Sequence, residues 1–161
     1  MVDTRRRFFL RSKAKTRVNP LPWIADWESF TDQCTRCGDC IRECEANVIV
    51  SGDGGFPTID FGRGECTFCY ACAEKCPEPL FKDESAKPWD LIATINDQCL
   101  TRNGVECRSC SDACETRAIK FQLTLGQVAQ PTLNLQDCTG CGACIAPCPA
   151  NAIAMENISN E

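Results

Sequence analysis

The residues from Cys138 to Pro149, CTGCGACIAPCP, carry four thiols at the spacing C-x2-C-x2-C-x3-C-P. Three cysteines on so tight a turn can hold three corners of an iron–sulfur cube, while the fourth, just before a proline, points away toward a neighbouring cluster. A disulfide framework does not require this rhythm. A zinc site usually draws on two C-x2-C pairs set well apart, rather than on four cysteines within a dozen residues.

The same chemistry is offered four times. Group one is Cys34, Cys37, Cys40 and Cys44; group two is Cys66, Cys69, Cys72 and Cys76, followed by Pro77; group four is Cys138, Cys141, Cys144 and Cys148. Group three, Cys99, Cys107, Cys110 and Cys114, is irregular, with seven residues between its first two cysteines and a loop around Thr101 to Glu106. All sixteen cysteines are thereby read as ligands to the iron of 4Fe-4S clusters. Four clusters are expected, or three if the irregular third group holds none. No thiol is left over as a nucleophile or redox switch. The chain has no histidine, which excludes Rieske clusters, histidine-ligated haem, Cys2His2 zinc and histidine acid–base chemistry. No residue is read as catalytic.

Composition agrees with a fold built around inorganic material. A chain of 161 residues holds one ordinary domain or two very small ones. Units below about 80 residues bury too little apolar surface to be stable without staples, either disulfides or metal. The N-terminus MVDTRRRFFLRSKAKTR has an arginine pair reminiscent of an export signal, but runs into more basic residues instead of an apolar segment. A cytoplasmic location is therefore expected, where thiolate ligands persist and disulfides are disfavoured. No run of about 18 apolar residues exists to span a membrane. The net charge of -5 hides an asymmetry: seven of the 17 basic residues and one of the 22 acidic ones lie in the first seventeen positions, leaving a body at -11. Each oxidised cube with four thiolates adds about two more negative charges. Such a body is a poor nucleic-acid binder.

The elements that must position the thiols repeat. Asp32-Gln33-Cys34 recurs as Asp97-Gln98-Cys99, and Pro57-Thr58-Ile59-Asp60-Phe61 as Pro131-Thr132-Leu133-Asn134-Leu135, so the chain is two related halves. The polar segment 82–90 carries the boundary, which predicts a basic arm over 1–18, a first domain over 19–85 and a second over 86–161. Val48 to Val50 and Phe56 to Phe61, separated by Gly52-Asp53-Gly54-Gly55, read as a hairpin, and Ile119 to Leu125 with Thr132 to Leu135 as its copy. Short helices are expected inside each cysteine group, for example Gly38 to Glu43 and Tyr70 to Lys75. Trp23, Trp27 and Phe30 precede group one and are expected to pack against the first cluster domain.

Duplicated in this way, the cysteine pattern resembles that of the bacterial two-cluster ferredoxins. The resemblance implies an α+β fold: two tandem bacterial-ferredoxin-like 4Fe-4S domains, with small hairpins and short helices around the clusters. In that family three cysteines of one group bind a cluster with the fourth of its partner group. Carried over, this joins Cys34, Cys37 and Cys40 to Cys76, and Cys66, Cys69 and Cys72 to Cys44. In the second half it joins Cys99, Cys107 and Cys110 to Cys148, and Cys138, Cys141 and Cys144 to Cys114. Glu45 and Glu115 stand where that family has proline, a departure alongside the spacing of group three.

The whole chain also resembles the NapF family of ferredoxin-type proteins of periplasmic nitrate reductase systems. The resemblance rests on the arginine pair, Cys34-Thr35-Arg36-Cys37, Cys66-Thr67-Phe68-Cys69-Tyr70-Ala71-Cys72, Pro88-Trp89-Asp90-Leu91, Val105-Glu106-Cys107-Arg108 and Gly140-Cys141-Gly142-Ala143-Cys144. It implies a cytoplasmic accessory protein that interacts with the nitrate reductase catalytic subunit and assists its maturation before export, by electron transfer. An electron-transfer polyferredoxin subunit of another oxidoreductase is the alternative.

Overall fold

Glycine at 52, 54 and 55 lets the chain reverse after Val50, and two three-residue strands close on each other. In this computed structural model, which describes residues 19–158, β1 (Ile49–Ser51) pairs antiparallel with β2 (Pro57–Ile59), Ile49 opposite Ile59. The basic arm and its arginine pair lie outside the described residues. Between the strands Gly54 sits at φ 67°, in the left-handed region that glycine enters without a Cβ penalty. Alternation turns Ile49, Pro57 and Ile59 inward.

The second half repeats the hairpin. Strand β4 (Ile119–Gln122) pairs with β5 (Gln130–Leu133), Ile119 opposite Leu133. It is shorter than the sequence suggests: Leu123 and Leu125 are 83% and 101% exposed in the connecting turn.

A further ribbon has no counterpart among the expected elements. Strand β3 (Leu91–Ile95) pairs antiparallel with β6 (Ile153–Asn157), bringing the start of the second half beside its end. Leu91, Ala93, Ile153 and Met155 face the core. The first half keeps a vestige of this pairing, a single antiparallel bridge between Ile24 and Phe81.

The helices are single turns, apart from α1 (Trp27–Gln33), whose N-cap Asp26 accepts a hydrogen bond from Ser29 N–H at 2.9 Å. In groups one to three, α2 (Asp39–Arg42), α3 (Ala71–Glu74) and α4 (Ser109–Asp112) each begin within two residues of the second cysteine. Each is closed by the N–H of the next residue, Glu43, Lys75 or Ala113, donating four positions back. Group four has Pro147 at that place and therefore no N–H to donate, and the expected helix is a run of turns instead.

One continuous core serves both halves. Leu21, Val48, Ile59 and Phe61 from the first meet Leu91, Ile119 and Met155 from the second, with the thiols of Cys72, Cys110 and Cys144 embedded among them. Segment 82–90 is tied down on both sides: Trp23 donates from its backbone N–H to Pro88 O (2.6 Å) and from Nε1 to Ala86 O (2.9 Å), and Trp89 Nε1 donates to Thr139 O (2.9 Å). Trp23 and Phe30 are buried, at 3% and 1% exposure, and the half-buried Trp27 stacks on Phe30, so these aromatics pack against the first half as expected.

Candidate cluster sites: four thiol-lined cavities

Each cysteine turn depends on backbone that bends the wrong way for an ordinary helix. The residues on either side of the second cysteine adopt positive φ in three groups: Arg36 and Gly38, Phe68 and Tyr70, Gly140 and Gly142. Two left-handed residues around one cysteine turn successive thiols toward a common centre. Non-glycine residues in this region are uncommon and strained by about 1–2 kcal/mol each, a cost that persists where the surroundings over-determine the conformation. After the fourth cysteine a second device repeats: Asn47, Arg117 and Asn151, also at positive φ, donate their N–H groups back to the carbonyls of Cys44, Cys114 and Cys148 at 2.9, 3.0 and 3.2 Å.

These turns place all sixteen cysteines on the walls of four cavities. Cys34, Cys37, Cys40 and Cys76 line the first, and Cys66, Cys69, Cys72 and Cys44 the second. Cys99, Cys107, Cys110 and Cys148 line the third, and Cys138, Cys141, Cys144 and Cys114 the fourth. Each cavity takes three thiols from one group and one from its partner. The four are alike in size, about 410, 370, 340 and 310 Å³ of non-protein space. Among the described residues no group of three or more cysteines or carboxylates is gathered around a point that could hold a single metal ion. The thiols surround a space rather than a point, which suits a multinuclear centre better than zinc.

The electrostatics also call for a cationic core. Burial pushes the Cys72 thiol up to about 12, helped by its neighbours Cys66 and Cys40, and Cys144 likewise to about 12, helped by Cys141 and Cys138. Cys40, Cys66 and Cys110 are each raised to about 11, with burial again the largest cause. Thiols crowded in apolar surroundings stay protonated at neutral pH unless a metal takes the proton's place. A cube of iron and sulfide with four thiolate ligands fits this donor set, and the chemistry it supplies when bound is one-electron storage.

The third cavity shows what the irregular spacing does. The extra residues fold into a compact loop: Val105 N–H donates to Leu100 O (2.9 Å), Gly104 N–H to Thr101 O (3.2 Å), and the Asn103 side chain to the carbonyls of Asp97 and Cys99 (both 2.9 Å). Gln130 Nε2 pins the loop from β5 by donating to Thr101 O at 2.9 Å. With this loop to turn the chain, neither Glu106 nor Arg108 needs positive φ. Cys99 arrives beside Cys107, Cys110 and Cys148 as the regular groups' first cysteines do beside theirs. At Cys99 burial pushes the thiol up, but the Thr101 hydroxyl, the N–H groups of Thr101 and Arg102, and the Arg102 charge outweigh it, leaving it below its ordinary value.

The second and fourth cavities abut across the halves. The N–H of Cys66 donates to the carbonyl of Cys141 at 2.9 Å, so a cysteine of one cavity is one hydrogen bond from a cysteine of the other. Around this junction Phe61 and Phe68 meet Trp89 edge-on, with ring centroids 6.1 and 5.5 Å apart. The glycines of group four make the approach possible. A Cβ on Gly142 would lie 1.9 Å from Phe61 Cδ1, and one on Gly140 would lie 2.4 Å from Leu91 O. Sequence reasoning recognised Gly140 and Gly142 only as part of a motif, and it missed Phe61, Trp89 and the Thr101 hydroxyl. Gly-x-Gly around the second cysteine was the signal available, because a side chain is tolerated at those positions in group two.

Fold and cavities together define a duplicated 4Fe-4S protein of the ferredoxin type. The family described as a 4Fe-4S dicluster domain matches twice, over residues 33–80 and 105–152. The chain is 48% identical over 158 residues to ferredoxin-type protein NapF of Escherichia coli K12, covering 96% of each chain, and 43% identical to ferredoxin-type protein NapF of Haemophilus influenzae Rd, covering 97% of this chain and 96% of that one. It belongs to the NapF family of ferredoxin-type proteins. A more distant likeness, 26% identity over 94% of this chain and 74% of the relative, is to the methylamine utilization ferredoxin-type protein MauM of Methylobacillus flagellatus. The protein carries multiple 4Fe-4S clusters. Among the described residues no helix is long and apolar enough to cross a membrane.

Proposed function

We propose that this chain is a cytoplasmic iron–sulfur accessory protein that docks on the precursor of the nitrate reductase catalytic subunit and assists its maturation before export through electron transfer. The observation that carries the reading is near-full-length identity to proteins named ferredoxin-type protein NapF, combined with thiol-lined cavities of equal construction. The ligand sets are those of the four cavities, so all sixteen cysteines bind iron and the clusters number four. The division into two-cluster units over 19–85 and 86–161, with a basic arm over 1–18 available to an acidic partner surface, belongs to the same proposal. No side chain in it is catalytic, and the chemistry is one-electron transfer.

Iron and acid-labile sulfide analysis of anaerobically purified protein tests the ligand assignment: about sixteen irons per chain is expected for four cubes, and about twelve would mean that the third group holds none. Pull-down from cytoplasmic extract tests the partner. Retrieval of the nitrate reductase precursor is expected, together with altered cluster content of that enzyme when the accessory protein is deleted. Failure of both would leave the second reading, an electron-transfer polyferredoxin component of another oxidoreductase. That alternative draws on the Cys66–Cys141 hydrogen bond, which suits a continuous path through both halves. It also draws on 28% identity, over 76% of this chain, to a component of the ion-translocating oxidoreductase complex of Methanosarcina acetivorans.

A further inference from the structure

Hydroxyl groups are distributed unevenly over the thiols of this protein. Among the described residues three hydroxyl–sulfur hydrogen bonds occur, all in the second half: Thr101 Oγ1 to Cys99 Sγ at 3.2 Å, Ser109 Oγ to Cys107 Sγ at 3.7 Å, and Thr116 Oγ1 to Cys114 Sγ at 3.6 Å. Two of them fall in the third cavity, where Ala152 N–H also donates to Cys148 Sγ at 3.3 Å. Thr35, Thr67 and Thr139 border the other cavities but make no such bond. The positions matching Ser109 and Thr116 in the first half are Asp39 and Ala46, neither of which has a hydroxyl to offer.

Thr101 is the most committed of the three. It is 1% exposed, so its hydroxyl has no water to turn to, and Cys99 Sγ is the partner the structure provides. A cysteine bound to iron has no proton, which leaves the hydroxyl as the donor. Donation to a ligand sulfur stabilises the form carrying the extra negative charge and so raises the reduction potential. Positive charge does not separate the sites in the same way, since Arg36 borders the first cavity as Arg102 stands near Cys99 in the third.

We propose that Thr101 is a potential-setting residue, whose hydroxyl, seconded by Ser109, makes the third site the highest-potential site of the chain and so the place where the first electron comes to rest. The five extra residues that break the spacing of group three are then the segment that delivers this donor. The inference rests on the electron-transfer reading above.

The test is an EPR-monitored redox titration of the full-length, anaerobically purified, cluster-loaded protein. Thr101→Val, which keeps the shape and removes the donor, is expected to shift the highest-potential reduction step to lower potential and leave the others in place, while Thr101→Ser leaves all steps unchanged. Ser109→Ala is expected to shift the same step by less, in keeping with its longer contact. An unmoved highest step, or a shift in a different one, overturns the proposal. Should Thr101→Val bind less iron than the parent, Ser109→Ala decides by the same criterion. Failure of the parent protein to accept and return electrons reversibly would instead overturn the electron-transfer reading itself.

Discussion

Replacing Gly142 by alanine probes the junction between the halves directly. Gly142 sits at φ +83°, where an added Cβ costs about 1–2 kcal/mol. That Cβ would also stand 1.9 Å from Phe61 Cδ1 and 2.5 Å from two further ring atoms. The ring cannot swing clear, because Phe61 is 3% exposed and packed edge-on against Trp89, itself held by its hydrogen bond to Thr139. Overpacking of this kind adds about 1–3 kcal/mol, for a total of roughly 2–5 kcal/mol. For a chain of this size that corresponds to a fall in thermal midpoint of roughly 4–20 °C. The assay is loss of the iron–sulfur absorption on heating, with parent and variants scanned at one rate because cluster loss makes unfolding irreversible. Phe61→Ala alone is expected to destabilise by about 3–5 kcal/mol, as buried Phe→Ala changes do. The double variant should cost less than the two singles together by about 1–3 kcal/mol, since the alanine methyl then enters space the ring has left. Strict additivity would refute the reasoning, because it would mean that Phe61 is not what the methyl meets.

Three further outcomes are expected. Cys76→Ser should disturb the cluster held with Cys34, Cys37 and Cys40, and Cys148→Ser the one held with Cys99, Cys107 and Cys110; spectroscopic loss of the sites containing Cys66 and Cys138 instead would mean that each group binds its own cluster. Reconstitution of metal-free protein should yield more cluster as pH rises from 6 to about 8.5, because the thiols of Cys72 and Cys144, raised to about 12, and of Cys40, Cys66 and Cys110, raised to about 11, must each lose a proton to bind iron. Iron content that does not change with pH would contradict this. Trp23→Ala should destabilise by about 3–5 kcal/mol and weaken cluster retention by Cys69 and Cys72, since Trp23 is 3% exposed, meets the Tyr70 ring at 5.0 Å and borders the second cavity; unchanged iron content and thermal midpoint would contradict that placement.

Much of the site could be read from the chain because its chemistry is local. Three thiols on one turn are set by spacing over some seven residues, and Gly38, Gly140 and Gly142 mark where that turn needs left-handed backbone. Internal repetition located the two hairpins and assigned the cysteine groups to halves. Non-local pairing was harder to see: the strands at 91–95 and 153–157 are each five residues long and nearly sixty apart, so neither carries enough periodicity to announce the other. The missing helix of group four was legible in principle, since Pro147 has no N–H to close it.

By itself the amino-acid sequence determined the inorganic chemistry, the number of thiol groups and the two-fold repeat, all of which follow from residue types at short separations. Tertiary structure alone decided three things. It put Cys99 back into line with the regular groups by folding the extra residues into a loop pinned by Gln130. It set the Thr101 hydroxyl against Cys99. And it brought Cys66 within one hydrogen bond of Cys141. The physical reason is common to all three: they depend on which surfaces bury each other across more than a dozen residues of chain, and burial of that kind leaves no period in a sequence.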